Sequence, residues 1–364
     1  MTEKEYLYWL CHVPGLRAEK MERLLNETGG FRSIYYMKKQ ELKACHFLTA
    51  RERGAILSEK RNLESCTEEY HRLRERGIDF ITIYDSGYPE RLRELPGMPL
   101  GLFVKGRLPE DQRPSAAVIG ARGCSYYGRE EARYLSRELA RAGVQVVSGL
   151  ALGIDGAGHG GALEAGGDTY GILGCGIDIC YPREHTELAE RIGLQGGLIT
   201  EFVPKTPPYP ANFPMRNRII SGLSDLVIVV EARKRSGSLI TAGLALEQGR
   251  DVFAVPGRVT DPLSAGCNEL IQSGAGLLMT PEDVLSLLGM KSEKNGKIMK
   301  KTENGLVKNE KMVYSCLDLQ PKHLEQIVTE SGLPAGECTA VLLKLELDGF
   351  AVQTSNQYYV RKFR

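Results

Sequence analysis

The chain has 364 residues, 42% of them hydrophobic and 26% charged, which is the length of two or three domains and the composition of a globular protein. No run approaches the ~18 apolar residues of a membrane span, and Met1-Thr2-Glu3-Lys4-Glu5 lacks the basic-then-apolar build of a signal peptide, so a cytoplasmic protein without a membrane partner is expected. Nine cysteines with no Cys-x-x-Cys pair argue against a disulfide framework and against a zinc site. Net charge is +1, split as +2 over 1–110 (19 Lys/Arg, 17 Asp/Glu), −4 over 111–290 (16, 20) and +3 over 291–364 (12, 9). A polyanion bound by the acidic middle segment must therefore be held by locally clustered groups and backbone donors, not by a broadly basic face.

Residues 1–75 carry apolar residues at helical spacing with no strand-like alternation, and read as a helical domain of the SAM or helix-hairpin-helix kind. Val13-Pro14-Gly15-Leu16-Arg17, followed by Met21, Leu24 and Leu25, has the outline of the hairpin. Arg17 stands where such hairpins usually have a second glycine, which favours a structural role over DNA reading.

Residues 76–290 change pattern. Strands are predicted at 78–84, 102–104, 116–120, 144–148, 169–173, 198–200, 226–231 and 252–255, with helices at 130–142, 156–165, 219–222 and 241–249. Apolar strands alternating with helices predict a parallel sheet covered on both faces, an α/β core of extended Rossmann-like type. Ligands of such sheets bind at the carboxyl ends of the strands, so the turns after 120, 148, 173, 200, 231 and 255 are the ones to examine. Residues 291–311, with seven Lys and three Glu, read as a charged flexible linker. Helices at 312–317, 323–329 and 337–348, then two short strands within 350–360, outline a winged-helix-like domain over 312–364.

Several strand-end turns suit phosphate. Gly120-Ala121-Arg122-Gly123-Cys124-Ser125-Tyr126-Tyr127-Gly128 leads into a helix start, where unpaired N–H groups, the Arg122 fork and the Ser125 hydroxyl can receive an anion. Arg233-Lys234-Arg235-Ser236-Gly237-Ser238 places three cations before another helix start, although a solvated basic run is the plainer alternative. Gly156-x-Gly158-x-x-Gly161, with Asp178 about 20 residues on, matches the dinucleotide fingerprint letter for letter. The fingerprint's first glycine should end its strand, yet Gly156 stands eight residues past Ser148, so these glycines read as helix packing and His159 as a core or surface residue.

Phe213-Pro214-Met215-Arg216-Asn217-Arg218, reached through a Pro-rich approach at 204–210, combines a ring that can stack on a base with forks that hold phosphates. There is no Gly-x-x-x-x-Gly-Lys-Ser/Thr loop, no Gly-x-Ser-x-Gly elbow and no His-Glu-x-x-His, and neither cofactor nor metal nor catalysis is predicted.

Together these segments resemble the DNA-processing protein A (DprA/Smf) family. The resemblance rests on Val118-Ile119-Gly120-Ala121-Arg122 through Gly128, Val147–Asp155, Leu173–Asp178 with Tyr181-Pro182, Phe213–Gly222, Val230-Glu231-Ala232 with Ser236–Ala242, and Ala254-Val255-Pro256-Gly257. It implies a homodimer that binds single-stranded DNA without base preference and hands it to the recombinase RecA in natural transformation or recombination. Carried over by position, Arg122 and Ser125 hold phosphates and Phe213 stacks on a base. Arg216 and Arg218 grip the backbone, Gly149 and the Ser236-Gly237 turn shape the groove, and Tyr127, Asn217 and Lys234 complete the site. Leu270 and Ile271, within 266–274, are implied at the dimer contact. Ala121 replaces the serine common in the first turn, and Pro210 stands where some relatives have a basic residue, implying fewer phosphate contacts here.

The third helix of the winged-helix-like segment sets Glu337, Glu346 and Asp348 against Lys344 alone, which suits protein interaction better than duplex reading. Two enzymes remain as alternatives. A nucleotide (phosphoribosyl) hydrolase is loosely echoed by Ser236–Thr241 with Glu247, and a nicotinamide-dependent oxidoreductase rests only on the Gly156 fingerprint.

Overall fold

The computed structural model describes residues 1–290 and 306–362. Six helices, α1 (Glu3–Cys11), α2 (Ala18–Thr28), α3 (Phe31–Tyr36), α4 (Lys39–Ala44), α5 (Ala50–Glu59) and α6 (Leu63–Leu73), form the N-terminal unit. Leu7, Trp9, Leu24, Phe31 and Ile56 fill its centre. Tyr8 carries this core onto the sheet, its ring 5.6 Å from that of Phe80 and 5.8 Å from that of Phe103.

The central sheet has nine strands: β1 (Asp79–Thr82), β2 (Gly101–Gly106), β3 (Ser115–Ile119), β4 (Gln145–Ser148), β5 (Thr169–Ile172), β6 (Gly197–Thr200), β7 (Leu226–Val229), β8 (Asp251–Ala254) and β9 (Gly276–Leu277). Their order is β1-β2-β6-β5-β4-β3-β7-β8-β9; β1 and β2 pair antiparallel and every pair from β6 to β9 is parallel. Nearly continuous Val/Ile/Ala strands follow from burial on both faces. Ala117 and Ile119 pack on one face with Ile219 and Ala242, while Ala116 and Val118 pack on the other with Leu135 and Ala162. The chain runs outward from β3 to β6, returns across the sheet and resumes at β7, so strand order reverses between β3 and β7. A crevice opens at the carboxyl ends of two such strands because their following loops diverge.

Helices α7 (Glu90–Arg93), α8 (Tyr126–Arg141), α9 (Ile154–Glu164), α10 (Thr186–Gln195), α11 (Asn212–Gly222), α12 (Gly237–Glu247), α13 (Ala265–Gln272) and α14 (Pro281–Leu285) accompany the sheet. Predicted strands fall within a residue or two of those observed, except the two-residue β9, too short to carry an alternation. Helix α11 starts seven residues before the expected 219. Pro214 conceals that start in the sequence, but in a first turn its missing N–H leaves no bond unmade. Gly156 is the third residue of α9, as helix packing of the fingerprint glycines requires. A Cβ on Gly161 would overlap the Arg133 carbonyl of α8, whereas one on Gly160 would meet nothing within 4 Å.

Helices α15 (Lys308–Cys316), α16 (Leu324–Ser331) and α17 (Ala335–Leu347), with strands β10 (Lys322–His323), β11 (Ala351–Ser355) and β12 (Tyr358–Arg361), make the winged helix. Of the predicted linker, 291–305 lies outside the described residues. Residues 306–311 are instead part of the winged helix: Leu306 is buried in its core, and the Glu310 carboxylate accepts from the Val307 N–H at 2.9 Å to cap α15. All nine cysteines are free thiols. Among the described residues, no helix is long and apolar enough to cross a membrane.

The two neighbouring glycines of α9 give opposite expectations. Gly161→Ala should lower stability by about 1–3 kcal/mol, because the methyl meets backbone that cannot turn aside. Gly160→Ala should raise it by up to about 1 kcal/mol through helix propensity alone. Thermal unfolding of the two variants measures both.

Candidate nucleic-acid interface

A cleft of about 580 Å3 opens at the β3/β7 reversal, lined by the turn after β3 (Ile119–Gly123), the loop after β7 (Arg233, Arg235–Ser238) and the first turns of α11. Close backbone approach shapes it. A Cβ on Gly120 would stand 2.7 Å from Cγ1 of Ile154 and 2.8 Å from the Glu231 carbonyl, and Gly153, at φ +78°, leaves room for the carbonyls of Ala121 and Arg122. The Ala121 N–H donates to the Glu231 carbonyl at 2.8 Å, joining the two loops.

Phe213 stands in the cleft with the Arg122 guanidinium 5.3 Å from its ring centre, Arg216 at 5.9 Å and the Tyr181 ring at 5.6 Å. The first four N–H groups of α11 need no helical partner, which lets a proline follow the ring directly. Gly174 makes the seat: a Cβ there would stand 2.7 Å from Cδ1 of Phe213.

The expected site residues separate into three groups. Arg122, Phe213, Arg216, Asn217, Ser236 and Gly237 all line the cleft. Arg216 does so as its floor. It is only 4% exposed, and its Nη1 donates to the Gly149 carbonyl at 2.9 Å. A Cβ on Gly149 would press on both Arg216 Nη2 (2.7 Å) and Asp155 Oδ2 (2.8 Å), so the groove-shaping glycine is where these two buried charges flank the chain. Burial pulls the Arg216 pKa down to about 10 and raises that of Asp155, which the neighbouring guanidinium partly offsets. The structure thus sets Arg216 as a buried cation beneath the Phe213 ring.

Ser125, Arg218 and Lys234 are held by other partners. The Ser125 hydroxyl donates to Glu231 at 2.5 Å and accepts the Gly128 N–H at 2.9 Å, capping α8. Arg218 pairs with Glu201 at 2.6 Å on the far side of α11, because one residue of helix turns it about 100° from Asn217. Lys234 extends to Glu269 at 2.7 Å. Tyr127 lies in a different cleft, facing Asp318, Lys322 and Arg361 of the winged helix.

Among the lining residues not named as site residues from the sequence, Tyr181 adds a ring and Arg233 and Arg235 add two cations. The Arg-Lys-Arg run was visible, but only loop geometry shows that its outer members face the cleft. Leu270 and Ile271 are half-buried against the core, while Leu277 of edge strand β9 and Met279 beyond it stand 44% and 62% exposed.

Beside the floor, His159 is fully buried and its Nδ1 lies 2.7 Å from the Thr169 hydroxyl. That hydroxyl donates to the Val146 carbonyl at 2.9 Å, so Nδ1 carries the proton and donates to it. Burial, then the nearby His185 and Arg216, bring its pKa down to about 3. No cluster of three or more His, Cys, Asp or Glu with metal-holding geometry occurs among the described residues.

Fold and cleft define a Rossmann-like α/β protein flanked by a helical unit and a winged helix, with stacking and cationic groups at the switch point of its sheet. The chain belongs to the DNA recombination-mediator protein A (DprA/Smf) family, whose model matches residues 79–289, and the DprA winged helix domain matches 299–357. It is 44% identical over 216 residues to DNA processing protein DprA of Bacillus subtilis, covering 59% of this chain and 73% of that one. To Protein Smf of Escherichia coli it is 39% identical over 278 residues, 74% of each. The X-ray structure of DprA from Streptococcus pneumoniae superposes with a TM-score of 0.69 at 34% identity, over 79% of this chain and 98% of that one. A Helicobacter pylori DNA processing protein A structure, described as giving insights into its single-stranded DNA binding mode, superposes at 0.52 with 29% identity, over 58% and 95%.

The neutral His159 sets a pH dependence. Its folded pKa lies below the ordinary 6.5, so its contribution is complete above 6.5 and is lost as pH falls from 6.5 toward 3. The full span corresponds to about 5 kcal/mol. His159→Gln should flatten stability against pH across that window, as read by denaturant unfolding at a series of pH values.

Proposed function

We propose that this chain binds single-stranded DNA without base preference, protects it and passes it to the recombinase RecA, in natural transformation or recombination, acting as a mediator without catalysis of its own. The observation that carries the reading is the Phe213 ring set between Arg122 and Tyr181 in a cleft that also receives Arg233 and Arg235. A ring can stack on any base, and exposed guanidinium forks can take phosphates on either side of it. A P-loop or redox site would need one dominant phosphate cradle; here the cations are spread along a groove, as a strand requires.

The binding described for the Helicobacter pylori relative supports carrying this ligand to the present chain. Delivery to RecA rests on family membership. A homodimer is proposed through the corner containing Leu270 and Ile271, where exposed Leu277 on a sheet edge offers an apolar surface.

Fluorescence anisotropy with a short labelled single strand tests the site. Phe213→Ala should weaken binding by about 1–3 kcal/mol, the worth of one stacked base. Three phosphate contacts, from Arg122, Arg233 and Arg235, predict a slope of log affinity against log salt of roughly −2, and Arg122→Ala should reduce it by about 0.7. Gly174→Ala, whose added methyl displaces the Phe213 ring without touching DNA, should also weaken binding. Unchanged affinity in both Phe213→Ala and Arg122→Ala would remove the assignment.

A further inference from the structure

The third helix of a winged helix is the one that ordinarily enters the DNA major groove, and in this chain its outward face is apolar. Gly336, Thr339, Ala340, Leu343 and Leu347 of α17 are exposed, with Leu343 at 58% and Leu347 at 80%. At 100° per residue these five fall within an arc of about 100°. The opposite face buries Cys338, Leu342 and Leu345 in the domain core. The stripe is therefore a second apolar surface, separate from the one that folds the domain.

Its borders are acidic. Glu346 flanks one side, and Glu337 and Asp348 flank the other. Lys344, the cation of this helix, is drawn away to Glu310 at 2.5 Å. The turn of the wing adds no charge: Gln353, Thr354, Ser355 and Asn356 are neutral, and Arg361 stacks 4.3 Å over Tyr314 while donating to its carbonyl. Across 306–362 there are six Lys/Arg and seven Asp/Glu, giving −1. A surface that meets a phosphate backbone gains its affinity from cations, and the one cation of α17, Lys344, already has Glu310 as its partner.

We propose that the exposed face of α17 is a docking site for an amphipathic helix of a partner protein, one with an apolar stripe flanked by Lys and Arg. Leu343 and Leu347 stand one helical turn apart and supply the anchors for an i, i+3/i+4, i+7 contact. The acidic borders pair with the partner's basic flanks and exclude acidic helices and nucleic acid, so they select the partner more than they strengthen its binding.

The test uses the full chain and two labelled synthetic helical peptides with the same leucine face, one flanked by Lys/Arg and one by Glu, followed by anisotropy. The Lys/Arg peptide should bind at least about tenfold more tightly than the Glu peptide, and Leu343→Glu with Leu347→Glu should abolish that binding by a similar factor. Glu337→Lys with Asp348→Lys should shift the preference toward the Glu peptide. Leu343→Gln, milder and fully solvated, provides a second variant should the double change disturb folding, which melting curves will show. Peptide affinity indifferent to Leu343 and Leu347, or loss of binding to a short blunt DNA duplex on changing them, would overturn the proposal.

Discussion

The buried Glu231 carboxylate is the interaction on which the cleft depends. It lies 3% exposed just past β7 and accepts both the N–H and the hydroxyl of Ser125, which stands at the start of α8 after β3. Burial raises its pKa, and the two Ser125 donors oppose that shift. With no ion pair to it among the described residues, the carboxylate is satisfied by Ser125 only while the β3 and β7 loops keep their present spacing. Gly128 lacks a Cβ where the same carboxylate passes. The two walls that present Arg122 and Arg235 are thus fastened together behind the surface that faces solvent.

The floor follows the same logic with the opposite charge. Arg216 is desolvated, yet it keeps a carbonyl partner at Gly149 and a carboxylate neighbour in Asp155. Such a group costs much to bury and more to leave unpaired, so it fixes the loop after β4 and the helix bearing Phe213 as one unit. The ring is consequently held by protein groups before any ligand arrives. Preorganisation of this kind limits the entropy lost when a flexible ligand is captured.

Charge distribution separates the two ends of the molecule. The core segment is acidic in sum, but Arg122, Arg233 and Arg235 converge on one crevice while its carboxylates are spent on structural pairs such as Glu201 with Arg218 and Asp168 with Arg107. The winged helix pairs Lys322 with Glu330 and Lys344 with Glu310, and presents leucine outward from α17. One chain therefore has a cleft lined by guanidinium groups and a separate apolar face, and neither property could be inferred from a net charge of +1.

Much of this was readable in the linear chain. Apolar strands at short spacing pointed to the parallel pairing found from β6 to β9, because both faces must be buried, but not to the antiparallel pairing of β1 and β2; Gly-rich turns marked the strand ends because only glycine tolerates such close approach. The Phe213 cluster marked a place where a ring and guanidinium groups come together, and Phe213, Arg216 and Asn217 do line one cleft. What the sequence could not decide was direction. In α11, Phe213, Arg216 and Arg218 lie within six residues, yet helical geometry sends the ring into the cleft, Arg216 beneath it and Arg218 to Glu201. The same holds for Ser125, whose hydroxyl is claimed by a carboxylate 106 residues away, and for Lys234, drawn to Glu269 while its neighbours face the groove. Residue type and local spacing are fixed along the chain, but the partner that a charged or hydroxyl group finds depends on which distant segment the fold brings beside it.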